Sequence, residues 1–256
     1  MTESASAVLR ERVARLDATP ATTGSPVHAG LMHAVSVMQV YTNTEMEQRA
    51  GGPPVLDPDE ADAVVARCGL VEELRVGAPA VVTGPLDTAN QQWISTARSP
   101  DAAPDRQLFT GPPTDPARPA VKPADHGLFT SSASALGPSM WRLYLDPYYG
   151  SDLFPLPWSI WALPASGPVA EIGCAADWVA FVDRYPRRAN GLVYPDWYAA
   201  SADVAGVHVT LRAVVAIQGF VFPCAAGLTA PGYWDVETTC WLRWSFGEPR
   251  LLDIVR

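Results

Sequence analysis

Residues 99–105, Ser-Pro-Asp-Ala-Ala-Pro-Asp, divide the chain into two textures, and that change constrains the fold more than any single motif. Two prolines and two aspartates within seven residues read as a linker or exposed loop. Before them, apolar residues recur at helical spacing. After them come short strand-like runs rich in aromatics and punctuated by Pro and Gly. The expectation is an α+β protein, with a mainly helical N-terminal region over 1–98 and a strand-rich domain over 106–256. A chain of 256 residues is long enough for either part to bury a core.

In the first part, Val8, Leu9, Val13 and Leu16 predict a helix over Thr2 to Leu16, and a second is expected over Ala29 to Glu47. Asp57-Pro-Asp-Glu-Ala is a strong helix start: a capping acid, proline at the first position and acids in the first turn. The stripe Ala61, Val64, Val65, Cys68 should then face inward. Nothing in residues 1–98 presents chemistry. In the second part, strands are expected at Arg106–Phe109, Gly127–Ser131, Trp158–Leu163, Gly206–Leu211 and Tyr233–Phe246. One helix is expected over Ala175–Tyr185, stopped by Pro186.

Composition narrows the function classes. A net charge of -9 argues against a general binder of nucleic acid or anionic membrane, which needs a basic face; Pro186-Arg-Arg188 leaves room only for a local one. Of the 18 basic residues (Lys+Arg), Lys122 is the sole lysine, a bias typical of GC-rich genomes. The start Met1-Thr-Glu-Ser lacks the basic and apolar regions of a signal peptide, and the apolar run Val204–Cys224 is interrupted by His208, Arg212 and Gln218. A cytoplasmic protein with reduced cysteines is expected. Cys68, Cys174, Cys224 and Cys240 lie far apart with no histidine at ligand spacing, so no metal site is expected. Gly-x-Ser-x-Gly, Gly-x-Gly-x-x-Gly, the P-loop and His-Glu-x-x-His are absent. Ser131 or Ser132 as a hydrolase nucleophile would need His126 or His208 as its base.

Two segments carry the candidate chemistry. Lys122-Pro-Ala-Asp-His-Gly-Leu-Phe-Thr-Ser-Ser132 reads as a turn feeding a strand that ends in hydroxyls. Tyr233-Trp-Asp-Val-Glu-Thr-Thr-Cys-Trp241 reads as a strand with one glutamate in its middle. Strand alternation places Glu237 on one face with Asp235, Thr239, Trp241 and Arg243, two carboxylates side by side. An exposed acid pairing with Arg243 or another arginine is the bland alternative. His208, between Val207 and Val209, reads as a satisfied structural histidine.

Taken together, these segments resemble the ADP-ribosyltransferases, over about residues 106–256. Asp235-x-Glu237 is similar to the family's paired acids, and Phe129-Thr-Ser-Ser132, preceded by Gly127, to its Ser-Thr-Ser strand. Gln107-Leu-Phe-Thr-Gly111 resembles its first strand, with Thr110 where the family carries an NAD-anchoring Arg or His. A threonine cannot pair with pyrophosphate; Lys122, His126 or Arg142 would have to supply that charge. Ser139-Met-Trp-Arg142, Tyr194-Pro-Asp-Trp197 and Gly206-Val-His-Val-Thr210 resemble patterns in actinobacterial and phage-borne proteins.

The resemblance implies a split β-sheet with NAD in the cleft, as substrate, cleaved at the nicotinamide–ribose bond by transfer to an acceptor (protein, nucleic acid, small molecule or water). It implies Glu237 as the catalytic carboxylate, Asp235 as its helper, and Thr110, Gly111, Gly127, Thr130, Ser131 and Ser132 as NAD contacts. Trp141 would stack on a flat ring. The alternative is a non-catalytic ligand-binding or protein-interaction module on a degenerate fold of this type. An open cleft at Glu237 favours catalysis; a filled one favours binding.

Overall fold

Ser4 and Asp57 begin two helices by the same physics: each side-chain oxygen accepts N–H groups that the first turn leaves unpaired, Ala7 for Ser4, Asp59 and Glu60 for Asp57. The computed structural model describes residues 4–18, 25–43 (backbone only for 40–43), 53–95, 103–116, 119–123, 125–134, 138–148 and 157–255. The helices of the first part are α1 (Ala5–Asp17), α2 (Pro26–Asn43), α3 (Pro58–Val65), α4 (Gly69–Gly77) and α5 (Pro79–Val82). The starts of the three that were expected, α1, α2 and α3, hold to within a few residues, while α4 and α5 were not expected; of the stripe, Ala61, Val65 and Cys68 are buried and Val64 half-buried. The expected end of α2 at Glu47 lies outside the described residues.

Then the helical region stops being only helical. Gln91–Ser95 is a strand, β1, and it is followed by β2 (Leu128–Ser132), α6 (Met140–Leu145), β3 (Trp158–Ala162), β4 (Val169–Ile172) and α7 (Ala175–Arg184). Next come β5 (Pro186–Ala189), β6 (Leu192–Pro195), α8 (Trp197–Asp203), β7 (Gly206–Val209), α9 (Leu211–Ile217), β8 (Phe222–Cys224), β9 (Gly227–Thr229), β10 (Thr238–Trp241) and β11 (Arg250–Val255). The molecule is mixed α+β, with a seven-stranded sheet in the order β11-β3-β1-β2-β10-β7-β4; β5–β6 and β8–β9 are separate hairpins. All of its pairs are antiparallel except β4–β7.

β1 lies between β3 and β2, so residues 1–98 supply a central strand. One core cluster runs from Val8 and Leu9 through Val81 and Val82 to Val207, Val214 and Leu242. The two expected parts therefore share a sheet and a core. Arg12 of α1, fully buried, donates to Val215 O (2.7 Å) and Gln218 O (2.8 Å), carbonyls left open at the end of α9. Trp158, Trp178, Trp234 and Trp241 are fully buried and belong to the packing. The apolar stretch Val204–Cys224 is divided among β7, α9 and β8, and no helix among the described residues is long and apolar enough to cross a membrane.

Three expected strands change. Arg106–Phe109 is a turn: Asp105 accepts Gln107 N–H through its side chain (2.8 Å) and Leu108 N–H through its carbonyl, and Leu108 is 80% exposed. The run to Leu211 ends at Val209, because Thr210 caps α9 by accepting Ala213 N–H. The run Tyr233–Phe246 keeps only Thr238–Trp241, because Asp235 has a φ of 65° and turns the chain.

Candidate functional site

β2 divides its partners along its length. Leu128, Phe129 and Thr130 pair with β10, while Ser131 and Ser132 pair with β1 on the other edge. Continuing the β2–β10 register from Thr130↔Thr239 sets Glu237 opposite Ser132. There the turn at Asp235 has ended the ladder, and the Glu237 side chain takes its place. Its carboxylate accepts Ser132 N–H at 3.1 and 3.2 Å, Ser131 Oγ–H at 2.6 Å and Ser132 Oγ–H at 2.9 Å.

A chain of donors stands behind it. Trp241 Nε1–H donates to Thr130 Oγ1 (2.8 Å), Thr130 Oγ1–H to Gln91 Oε1 (2.6 Å), Gln91 Nε2–H to Ser132 Oγ (3.0 Å), and Ser132 to Glu237. Every hydroxyl is used once as donor and once as acceptor along that path. Thr130, Ser131, Ser132, Gln91 and Glu237 are all 0% exposed.

On the other side of the carboxylate stands His208 of β7, fully buried, with Nε2 at 3.0 Å from Glu237 Oε1 and Nδ1 at 2.6 Å from Glu171 Oε2. Glu171 is directly opposite His208 in the parallel β4–β7 pair, and its Oε1 accepts Leu86 N–H at 2.9 Å. Both imidazole nitrogens face carboxylate oxygens, which suits the ring that carries two N–H groups, the cation. Burial alone pushes the His208 pKa down, but the hydrogen bonds and charges of Glu171 and Glu237 raise it to about 9. Burial likewise pushes the Glu171 carboxyl up, and the bond and charge of His208 with the Leu86 N–H more than offset it, so its pKa is lowered.

Of the residues expected at the site, the structure gathers Glu237, Ser131 and Ser132 directly and Thr130 through Gln91. Asp235 goes elsewhere. With φ at 65° strand alternation fails there; its N–H donates to Gln218 Oε1 (2.8 Å), and its charge acts on Lys122 and Tyr144. Thr110, Gly111 and Gly127 lie at the far end of β2, where Thr110 O accepts Gly127 N–H at 2.6 Å and a Cβ on Gly111 would meet Leu242 O at 3.2 Å. Five residues of extended strand, about 16 Å, separate Gly127 from Ser132. His208 is satisfied by carboxylates, so Ser131 and Ser132 have no imidazole base there. Arg142 bonds Asp146 at 2.8 Å and stacks on Trp158. Gln91 and Glu171 complete the network and carry no recognisable motif; the sequence signal was polar residues at the edge of short apolar runs.

Open space lies elsewhere. A cavity of about 410 Å³ is bounded by Pro112, Pro113, Pro116, Pro119, Ala120, Lys122, Pro123, Asp125, His126, Arg187, Pro195, Trp197 and Tyr198. Arg187 holds its rim by bonds to Thr114 O (3.1 Å) and Asp115 (3.0 Å), and Trp197 Nε1–H donates to Ala120 O (2.8 Å). A second cavity, about 370 Å³, is lined by Gln92, Trp93, Ile94, Gly127, Leu128, Phe129, Trp141 and Leu145. It contains two expected cofactor contacts, Gly127 and Trp141, but not Glu237.

Lys122 is among the residues that line the first cavity. Its Nζ is 5.2 Å from the ring centre of Trp234, 5.3 Å from Phe129 and 5.5 Å from Trp141. No group of three or more His, Cys, Asp or Glu among the described residues is arranged to hold a metal ion. Compared with known proteins, the chain matches no family model, no curated protein and no solved structure.

Proposed function

We propose that the protein is a ligand-binding module whose ligand enters the 410 Å³ cavity, and that Glu237 holds the sheet together. The observation that carries this reading is the enclosure of Glu237: its carboxylate has no exposed surface and its oxygens are occupied by Ser131, Ser132 and His208. A carboxylate that stabilises an oxocarbenium-like centre must touch it, and this one touches only its own donors. The cavity has the size of a small-molecule site, roughly 300–1,000 Å³, and apolar walls of proline, Trp197 and Tyr198 with a few polar groups set into them. It suits a small, largely apolar molecule. Ligand-observed NMR with a fragment set tests this, beside Ala120→Phe, which fills the space. Fragments that bind the parent and lose binding to the variant are expected; fragments that bind both alike, or none that bind, overturn the reading.

A second reading, an NAD-dependent ADP-ribosyltransferase or NAD glycohydrolase, draws on one observation: Ser131 Oγ–H donates to Glu237 at 2.6 Å where β2 passes from one partner to the other. In this reading the two ladders that meet on β2 are the halves of a split sheet, and the site opens when NAD binds. Its signature is nicotinamide release that disappears in Glu237→Gln.

A further inference from the structure

We propose that β11 is a dimer edge: two copies of the chain pair antiparallel through their β11 strands, with Arg250 of each copy opposite Asp253 of the other. β11 ends the seven-stranded sheet, bonded to β3 on one side, and among the described residues no strand pairs with its outer edge. The open row of backbone N–H and C=O groups on such an edge is a template for another strand. Along Arg250–Val255 neither proline nor lysine interrupts that row. Leu251 and Leu252 are each 39% exposed, and Arg250 and Asp253 are exposed with no side-chain partner among the described residues.

The order of these four residues selects a second copy as the occupant. Arg-Leu-Leu-Asp is its own complement under a half rotation. A two-fold axis between Leu251 and Leu252 sets each Arg250 against Asp253 of the other copy and each Leu251 against Leu252. In a regular strand that register would fail, since residues three apart point to opposite faces. The pairing of β11 with β3 removes the obstacle. Arg250 pairs with Ala162 and Asp253 with Ile160, positions two apart on β3 and therefore on one face, and Leu252 is the extra residue of a bulge. The bulge brings Arg250 and Asp253 onto the same face, and an axis perpendicular to the sheet keeps that face common to both copies.

Each copy contributes the same extra residue, so the two strands match in length between the ion pairs. Two Arg–Asp pairs flank four leucines, in a sheet that runs on through both molecules. A net charge of -9 on each copy opposes association at long range, and one strand pair is a small interface. The dimer is therefore weak and concentration-dependent, with its register set by the charges. It forms whatever the 410 Å³ cavity binds.

Sedimentation velocity of the full chain from about 1 to about 300 μM tests this, with Arg250→Asp, Asp253→Arg and the double charge swap beside the parent. Both positions are exposed, so equal melting temperatures are expected throughout. The parent should shift from monomer to dimer as concentration rises. Either single swap sets like charges opposite each other twice and should weaken the dimer at least about tenfold. The double swap should dimerise as the parent does, and an equimolar mixture of the two single variants should form a mixed dimer. A parent that stays monomeric would leave the edge to another protein's strand or to none, and overturns the proposal. Dimerisation that all variants share equally, or single swaps that their mixture fails to rescue, overturns it as well.

Discussion

Raising the pH from 6.5 to 9 should destabilise the fold through one residue. His208 titrates near 6.5 when unfolded and at about 9 when folded between Glu171 and Glu237. The folded-state value is the higher one, so its contribution is fully present below pH 6.5 and is lost as the pH rises through about 9. In that window the folded state binds one more proton than the unfolded state, and stability falls by about 1.4 kcal/mol per pH unit. Over the whole shift the contribution is about 3 kcal/mol, an order-of-magnitude figure for a buried, hydrogen-bonded group. For a chain of this size that corresponds to a melting-temperature drop of about 6–12 °C. Urea midpoints at several pH values give the slope directly. The parent should be read against His208→Gln, which is less stable at pH 6.5 and whose curve is flatter. Parallel curves for the two proteins would refute the argument that a buried imidazolium links the buried Glu237 to the exposed Glu171.

Other substitutions test separate parts of the structure. Arg12→Ala removes the donors that close the end of α9 and opens a buried gap beside Phe220, and should lower stability by about 3 kcal/mol in urea unfolding. Gly127→Ala should cost more than about 1 kcal/mol, since Gly127 has a φ of 82° and a Cβ there would lie 2.5 Å from Trp241 O; a midpoint equal to the parent's would show that this approach relaxes freely. Gln91→Leu leaves Thr130 and Ser132 without their shared partner and should cost about 2 kcal/mol by chemical denaturation, with the secondary-structure circular dichroism unchanged.

What the sequence made legible were features whose cause is local. Asp57-Pro58 begins α3 as expected, and Pro186 follows α7, because caps and missing N–H groups act within one turn. The strand ending in Ser131 and Ser132 was readable too, and so was its association with Glu237, through the resemblance. What escaped was decided at a distance. Gln91 begins a central strand, yet Gln91-Gln92-Trp-Ile-Ser95 has too few apolar residues to announce one; its place comes from β2 and β3 on either side. Glu171 sits in a short strand whose partner His208 is 37 residues away, in the only parallel pair of the seven-stranded sheet. Asp235 was set beside Glu237 by alternation, which a single residue at positive φ cancels. The cavity sets Pro112, Pro113, Pro116, Pro119 and Pro123 against Pro195, Trp197 and Tyr198, a juxtaposition no periodicity records.

The central claim is that Glu237 is a fastening inside the sheet rather than a group that meets substrate. The direct test is nicotinamide released from NAD at stoichiometric protein, by the parent and by Glu237→Gln side by side, with a urea midpoint for each. The account predicts no release above the buffer rate from either, and a variant less stable by about 3 kcal/mol because His208 loses one of its two charged partners. Release by the parent that vanishes in a Glu237→Gln protein of unaltered stability would contradict it and restore Glu237 to the chemistry.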